Sequence, residues 1–335
     1  PTLLWHELEA SKLVLTNPRR YEEGRAEISR RGAIEWGQVR SIMGEATGRG
    51  ALSQLGRPYP EDDCIRILGF GHALTEFALK PLCLPYAEQQ PVLRLGAMAN
   101  LIVATYDQLV DLSGGPRKLL PQGTLDMAAH DRGRRLVRGM ALVSPAPSRM
   151  MLRLVAGYFE GIERLACTRN HAHVPQVRNC LGRAIKMMYE AEELVCAQGE
   201  AICSEQILRR KGALPFLVMG LPAWLVVPSL HLEHYLWHLH WLYRLGEFFG
   251  WIDDTVDLEA DRASGQPNRL ARLRTAPWPG TGRDADIARM IARKGQRILA
   301  EWRRRAGDAG NKRIPLADTE TFSICLASWF GGVPR

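Results

Sequence analysis

Alternation of apolar and polar residues, the pattern of a half-buried β-strand, is nearly absent from this chain. Apolar residues recur instead at intervals of three and four, the spacing of a helix face. A clear case is the run Leu236, Leu239, Leu242, Leu245 and Phe249. Glycine and proline cluster between such runs, and the connections are short. The pattern predicts an all-α protein, a bundle of long helices forming a single domain over residues 1–335.

The helices predicted from this periodicity share apolar residues at intervals of three and four and end near glycine or proline. They cover residues 26–45, 62–80, 89–113, 124–141, 148–167, 175–209, 213–227, 231–259, 284–306 and 317–330.

Features of several other protein classes are missing. The seven cysteines include no CxxC pair and are odd in number. This argues against a zinc ribbon or a disulfide framework and favours free thiols in a reducing compartment. The N-terminal stretch PTLLWHELEASK lacks the basic region and cleavage site of a signal peptide. A cytoplasmic protein is therefore expected.

The charge balance is basic, with Lys plus Arg at 44 against Asp plus Glu at 36, a net charge of +8. The positive residues are scattered and form no long basic tail, so nucleic acid is not an expected partner. A basic surface also suits small phosphorylated substrates or an anionic membrane surface.

One stretch without charges, Gly212–Leu230, follows three basic residues and resembles a short membrane span. Pro215, Pro222 and Pro228 interrupt it, which favours a kinked helix in a large core. We therefore expect no stable membrane insertion, and we place the kink at Gly220-Leu221-Pro222.

Two acidic patches interrupt long apolar helices. Residues four apart share a helix face, and carboxylates stacked at this spacing repel one another. Oxygen ligands without His or Cys favour Mg²⁺. The alternative for each patch is a solvated acidic helix end. The predicted metal ligands are Asp107 and Asp111 in the first patch and Asp253, Asp254, Asp257 and Asp261 in the second.

The second patch resembles motifs of a known enzyme superfamily. GEFFGWIDDTVD resembles the second aspartate-rich motif of trans-polyprenyl diphosphate synthases, with Gly250 where that family has Gln. Asp253, Asp257 and Asp261 stand at the three ligand places of the class I terpene cyclase motif. The longer string DDTVDLEADRASGQPN is most similar to bacterial large-terpene cyclases related to tetraprenyl-β-curcumene synthase. The resemblance covers roughly residues 90–330 and implies an isoprenoid-synthase-type helical bundle with a central active-site cavity.

The same resemblance implies residues that bind a diphosphate. Lys211, in the string Arg-Lys-Gly-Ala, resembles the lysine of the K-T-A element that holds diphosphate in prenyl synthases. Arg210 and Arg262 are further candidates because a departing diphosphate needs fixed positive charge. For each arginine an exposed surface position is the alternative. Arg117-Lys118 follows the first patch where those synthases have Arg-Arg-Gly, although no glycine follows here.

The implied function is a Mg²⁺-dependent class I terpene cyclase, a lyase that ionises a linear prenyl diphosphate. Asp107, Asp253 and Asp257 would be the catalytic metal ligands, holding about three Mg²⁺ ions, which Mn²⁺ could replace. The first patch has only two aspartates, which favours cyclisation over chain elongation by a trans-polyprenyl diphosphate synthase. A non-catalytic helical protein is the alternative from another class. The resemblance leaves a homodimer open.

A carbocation needs a dry, aromatic cavity. The aromatic residues expected to line it, each of which could equally be ordinary core, are Tyr106, Trp241, Phe248 and Phe249.

A rival metal site is HLEHYLWHLH, which places His231, His234 and His238 on one helical face with His240 nearby. Such spacing can bind zinc or a di-iron pair, but the Glu-x-x-His partners on other helices are missing.

Overall fold

The computed structural model of the chain describes residues 1–43, 60–120, 124, 131–169, 171–202, 204–275, 283–308 and 316–331. Within these ranges every regular element is helical, which confirms the predicted all-α class. The α-helices, in chain order, are α1 (Thr2–Ala10), α2 (Pro18–Met43), α3 (Glu61–Leu79), α4 (Tyr86–Ser113), α5 (Pro116–Leu119), α6 (Asp131–Val143), α7 (Ala146–Arg169), α8 (Val174–Ile202), α9 (Glu205–Gly220), α10 (Leu232–Val256), α11 (Leu258–Ser264), α12 (Arg269–Thr275), α13 (Arg283–Asp308) and α14 (Leu316–Trp329).

Most predicted helices are present, although several begin or end some residues away from their expected bounds. The helix expected over 175–209 is two helices, α8 and α9, because Ser204 starts a new one. Its hydroxyl accepts a hydrogen bond from the Ile207 backbone N–H at 3.4 Å. Most of the first part of the helix expected over 124–141 lies outside the described residues. Helix α6 covers the rest of it. The N-terminal helix α1 and the short helices α5 and α12 were not predicted.

The charge-free stretch is kinked where the prolines predicted it. Helix α9 ends at Gly220, and a buried 3-10 turn follows over Leu221–Leu225. No helix in the described ranges combines the length and the apolar character needed to cross a membrane.

Helices α9 and α10 approach each other closely at glycines. A Cβ atom on Gly246 would lie 2.8 Å from the Ala213 Cα and from the Gly212 carbonyl oxygen. Gly212 and Gly250 face each other in the same way, with a Cβ–Cα separation of 3.2 Å. At Gly246 only glycine permits this approach without a shift of the backbone, and at Gly212 and Gly250 a side chain would be tightly packed. The crossing brings the residue before Gly212, Lys211, close to the acidic end of α10.

The N-terminal half of α10 packs in an aromatic part of the core. Trp224 donates its indole N–H to His238 Nδ1 at 2.9 Å, and His238 Nε2 lies 3.1 Å from the Ala78 carbonyl oxygen. His238 is 0% exposed. Because Nδ1 must accept and Nε2 must donate, both partners require the neutral ring. Burial lowers the pKa of His238 to about 4.

The rival histidine site is therefore not formed. His238 uses both ring nitrogens in the core, whereas His231 and His240 are exposed. Because one of these histidines is in the core and the others are at the surface, they cannot bind a single ion together.

Candidate active site

The second acidic patch spans the end of α10 and a short break. Helix α10 ends at Val256, and Asp257 links it to α11 with φ −91° and ψ 4°. The helical hydrogen bonds continue through this break: the Asp257 N–H donates to the Asp253 carbonyl at 2.9 Å, and the Asp261 N–H donates to the Asp257 carbonyl at 2.8 Å. The predicted spacing of four is therefore kept, although the helix predicted over 231–259 ends three residues early.

Asn268 fixes the segment that follows. Its side chain is buried and donates to the Asp254 carbonyl at 2.7 Å and to Asp261 Oδ2 at 2.8 Å. Its side-chain oxygen accepts from the backbone N–H groups of Leu270 and Ala271, at 2.9 and 3.1 Å. It thus caps α12 and orients one carboxylate of the patch.

Asp254 is paired with Arg269, a residue that sequence reasoning missed. The Arg269 Nε–H donates to Asp254 Oδ2, and the guanidinium lies 4.6 Å from the centroid of the Trp251 ring. Burial raises the pKa of Asp254 to about 6, although Arg269 acts to lower it. A Cβ atom on Gly250 would lie 2.5 Å from Arg269 Nη2. Gly250 stands where the similar synthases have Gln, and this substitution was the available signal for Arg269, because a glycine leaves space for its side chain.

Asp253 contacts an aromatic side chain from the last helix. The Trp329 indole N–H donates to Asp253 Oδ1 at 3.0 Å. The Phe249 ring, one turn earlier on α10, lies 5.0 Å from Trp329. Packing of protein around the Asp253 carboxylate removes water from it and raises its pKa. Part of the Asp253 side chain remains exposed. Trp329 acts to lower this pKa, and Asp107 adds to the increase.

The first patch meets a lysine. Lys211 Nζ lies 3.1 Å from Asp107 Oδ1 and 3.2 Å from Glu192 Oε1, and its side chain is 35% exposed. Partial burial acts to lower the pKa of Lys211, but the two carboxylates outweigh it and raise that pKa well above its ordinary value. The buried Glu192 was not singled out in the sequence. The side chain of Asp111 lies outside the described residues.

The two acidic patches face each other. Burial raises the pKa of Asp257 to about 6, and repulsion from Asp253, Asp261 and Asp107 adds to the increase. Burial raises the pKa of Asp261 as well; Asn268 and Lys211 act to lower this pKa, and Asp107 adds to the increase. Carboxylates from helices far apart in sequence therefore share one electrostatic environment, with Lys211 beside both.

The donor set fits a hard divalent cation in its chemistry. Among the described side chains, no three His, Cys, Asp or Glu groups are arranged closely enough to hold an ion by themselves. Mg²⁺ commonly uses only one or two carboxylates, together with waters and substrate phosphates. The repulsion between Asp253 and Asp257 is the kind that such a cation relieves.

The remaining predicted cations are more loosely placed. Arg210 is half-buried beside Lys211, and Arg262 is exposed on α11. Arg117 forms an ion pair with Glu193, and 71% of the Arg117 side chain is exposed to solvent.

The four predicted cavity residues divide into two pairs. Phe249 packs on Trp329, the partner of Asp253, whereas Tyr106 packs on Tyr189 of α8 at 6.2 Å, and its buried hydroxyl has no hydrogen-bond partner among the described atoms. Phe248 instead stacks on Phe322 at 6.1 Å, and Trp241 donates its indole N–H to a carbonyl of α13 at 3.2 Å. This second pair packs between α10, α13 and α14, away from the carboxylates.

Comparison with known protein families and with curated proteins gives no match. The fold and site thus define an all-α protein in which opposed carboxylates surround a lysine. The family resemblance rests on the motifs alone and stays a prediction.

Proposed function

We propose that the protein is a Mg²⁺-dependent class I terpene cyclase that ionises a linear prenyl diphosphate and cyclises the resulting carbocation. The observation that supports this most strongly is the ion pair of Lys211 with Asp107 of α4, within electrostatic reach of the carboxylates at the end of α10. Anionic groups on both sides of a fixed cation suit a diphosphate that arrives with divalent metal.

Asp107, Asp253, Asp257 and Asp261 are the residues that would hold Mg²⁺. When bound, Mg²⁺ neutralises charge on the diphosphate leaving group and so favours breakage of the C–O bond. The carboxylates orient the bound group by their fixed positions along α10, α11 and α4. Asp254 is in a different position, because its ion pair with Arg269 directs it to a structural role.

Lys211 would donate hydrogen bonds to the diphosphate oxygens. Its charge is secure because Asp107 and Glu192 keep its pKa high. Glu192 is buried and accepts from Lys211, and it would hold the ammonium group in place if Asp107 bound Mg²⁺.

Aromatic groups next to the cluster would protect a carbocation from water. Phe249 and Trp329 adjoin Asp253, and Tyr106 precedes Asp107. Aromatic faces attract cations, and their bulk excludes solvent.

The direct test is incubation of the protein with prenyl diphosphates of increasing chain length and Mg²⁺. Products are identified by gas chromatography with mass spectrometry, and released diphosphate is measured enzymatically. We expect a hydrocarbon or terpene alcohol without added isopentenyl diphosphate. Product that forms only when isopentenyl diphosphate is added would instead identify chain elongation. Absence of turnover at every chain length contradicts both enzymatic functions.

Substitution of the proposed ligands sharpens this test. Asp253→Asn and Asp257→Asn should each lower diphosphate release at least about 100-fold, because each removes a charge needed in the transition state. Asp286→Asn is the matched control, since Asp286 is an exposed residue of α13 paired with Arg289. Unchanged release in both site variants would show that the metal helix is assigned wrongly.

A further inference from the structure

Helix α6 presents an apolar face that none of the described residues covers. Leu136, Leu142 and Val143 are 55, 72 and 86% exposed. With Gly139 and Arg135 they fall within about 120° of one face at the helical step of about 100° per residue. A Cβ atom on Gly139 would meet no atom within 4 Å. We call these five residues the α6 face.

The opposite side of α6 is the one that holds the helix to the protein. Val137 and Ala141 are buried there, and Arg134 lies 3.4 Å from Glu163 of α7. The packing side is therefore already occupied by its own core contacts. The α6 face is therefore apolar surface that the contacts of α6 with the protein core leave exposed.

The surroundings of the α6 face carry excess positive charge. Arg135 is exposed and forms no ion pair with any residue that the structure describes. Arg149 donates from Nη2 to the Ser144 carbonyl, at 3.0 Å, just beyond the end of α6. Arg138 is neutralised by Glu160 and does not contribute.

We propose that the α6 face docks on the surface of an anionic phospholipid bilayer. Three exposed side chains are far too small for a stable interface with a second copy, which buries about 800 Å² on each partner. An amphipathic helix lying in the plane of a membrane needs only a few inserted apolar groups plus attraction to acidic lipid headgroups. The net charge of +8 has the matching sign. The inference is independent of the proposed enzymatic function, although a prenyl substrate would partition into the same bilayer.

The test is co-sedimentation of the full chain with vesicles of phosphatidylcholine alone or mixed with phosphatidylglycerol. We expect binding to the mixed vesicles that weakens with added salt, and little binding to the neutral ones. The double variant Leu142→Ser/Val143→Ser should bind at least about tenfold more weakly, because its apolar groups no longer insert. Arg135→Gln should bind several-fold more weakly, by roughly the contribution of one basic residue near an acidic surface.

The matched control is Leu232→Ser/Leu236→Ser, which removes two exposed leucines, 62 and 53% accessible, from another helix. It should bind the mixed vesicles as the unchanged protein does. The proposal is wrong if neither vesicle binds, or if the control loses as much binding as the α6 variant. It is equally wrong if light scattering shows a dimer that only the α6 variant abolishes, since the face would then serve a second copy. All of the substituted residues are exposed, so far-ultraviolet circular dichroism should show an unchanged fold.

Discussion

Helix α10 carries ionisable groups in both halves, but their surroundings differ: His238 of the N-terminal half is buried and fully hydrogen-bonded, whereas Asp253 and Asp257 at the C-terminal end reach solvent. In the N-terminal half, His238 is enclosed by the core and has a partner for each ring nitrogen. At the C-terminal end, Asp253 and Asp257 keep access to water and lie close enough to repel each other. Burial shifts both kinds of group toward their neutral forms, lowering the pKa of the histidine and raising those of the aspartates.

The two environments have different effects on the stability of the fold. A buried polar group with all its hydrogen bonds made contributes to the folded state. Like charges held together reduce stability and are characteristic of ligand sites, where a bound cation compensates for them. The same helix therefore anchors the fold in one half and, under the proposed function, would bind a cation with the other.

Removal of the buried histidine should have the largest effect. His238→Ala leaves the Trp224 indole N–H and the Ala78 carbonyl without partners and opens a cavity between them. We expect the free energy of unfolding to fall by about 4 kcal/mol, measured by urea denaturation at neutral pH. His240→Ala is the control on the same helix, because His240 is exposed and should change stability by less than about 0.5 kcal/mol. Equal losses in the two variants would contradict the anchoring role.

The fold was largely predictable because helices reveal themselves by local periodicity. The kink at Gly220 and the break near Gly265 were predicted from residues that interrupt helices, although the helix bounds of 213–227 and 231–259 were not matched there. The division between α8 and α9 was missed because no glycine or proline marks it. Ser204 followed by Glu205 was the available signal, an N-cap residue with an acid in the first turn.

The site was predictable only in part, because it depends on contacts between distant residues. The spacing of four placed Asp253, Asp257 and Asp261 together, and the resemblance named Lys211. Nothing local indicates that Glu192 would share that lysine or that Arg269 would bind Asp254. Both contacts arise from helix crossings, such as the one at Gly250, whose geometry is set by the whole bundle.

The contrast along α10 should also appear in the pH dependence of stability. The pKa of His238 falls from 6.5 to about 4 on folding, so its contribution is complete above pH 6.5 and is lost as the pH falls toward 4. From about pH 7.5 to about pH 5 this removes roughly 2 kcal/mol from the free energy of unfolding. The advantage of the unchanged protein over His238→Ala should shrink by that amount. A difference that stays constant with pH would show that the histidine is not held neutral.

The smallest effect is expected at the acidic end, and its sign is reversed. The pKa of Asp257 rises from 3.8 to about 6, so the stability it contributes is complete below 3.8 and is lost as the pH rises through 6. Asp257→Asn should therefore raise the free energy of unfolding at neutral pH. Because the side chain is exposed, screening by solvent limits the gain to about 1 kcal/mol.

The gain from Asp257→Asn should disappear below about pH 4, where the native carboxyl is protonated as well. Asp286→Asn, which breaks an exposed ion pair on α13, should change stability by less than about 0.5 kcal/mol and show no such gain. Urea denaturation in metal-free buffer measures both variants. Added Mg²⁺ should then stabilise the unchanged protein more than Asp257→Asn, because a cation relieves only the repulsion that remains. A variant that is destabilised at neutral pH would mean that Asp257 supports the fold, and the two halves of α10 would then not differ in purpose.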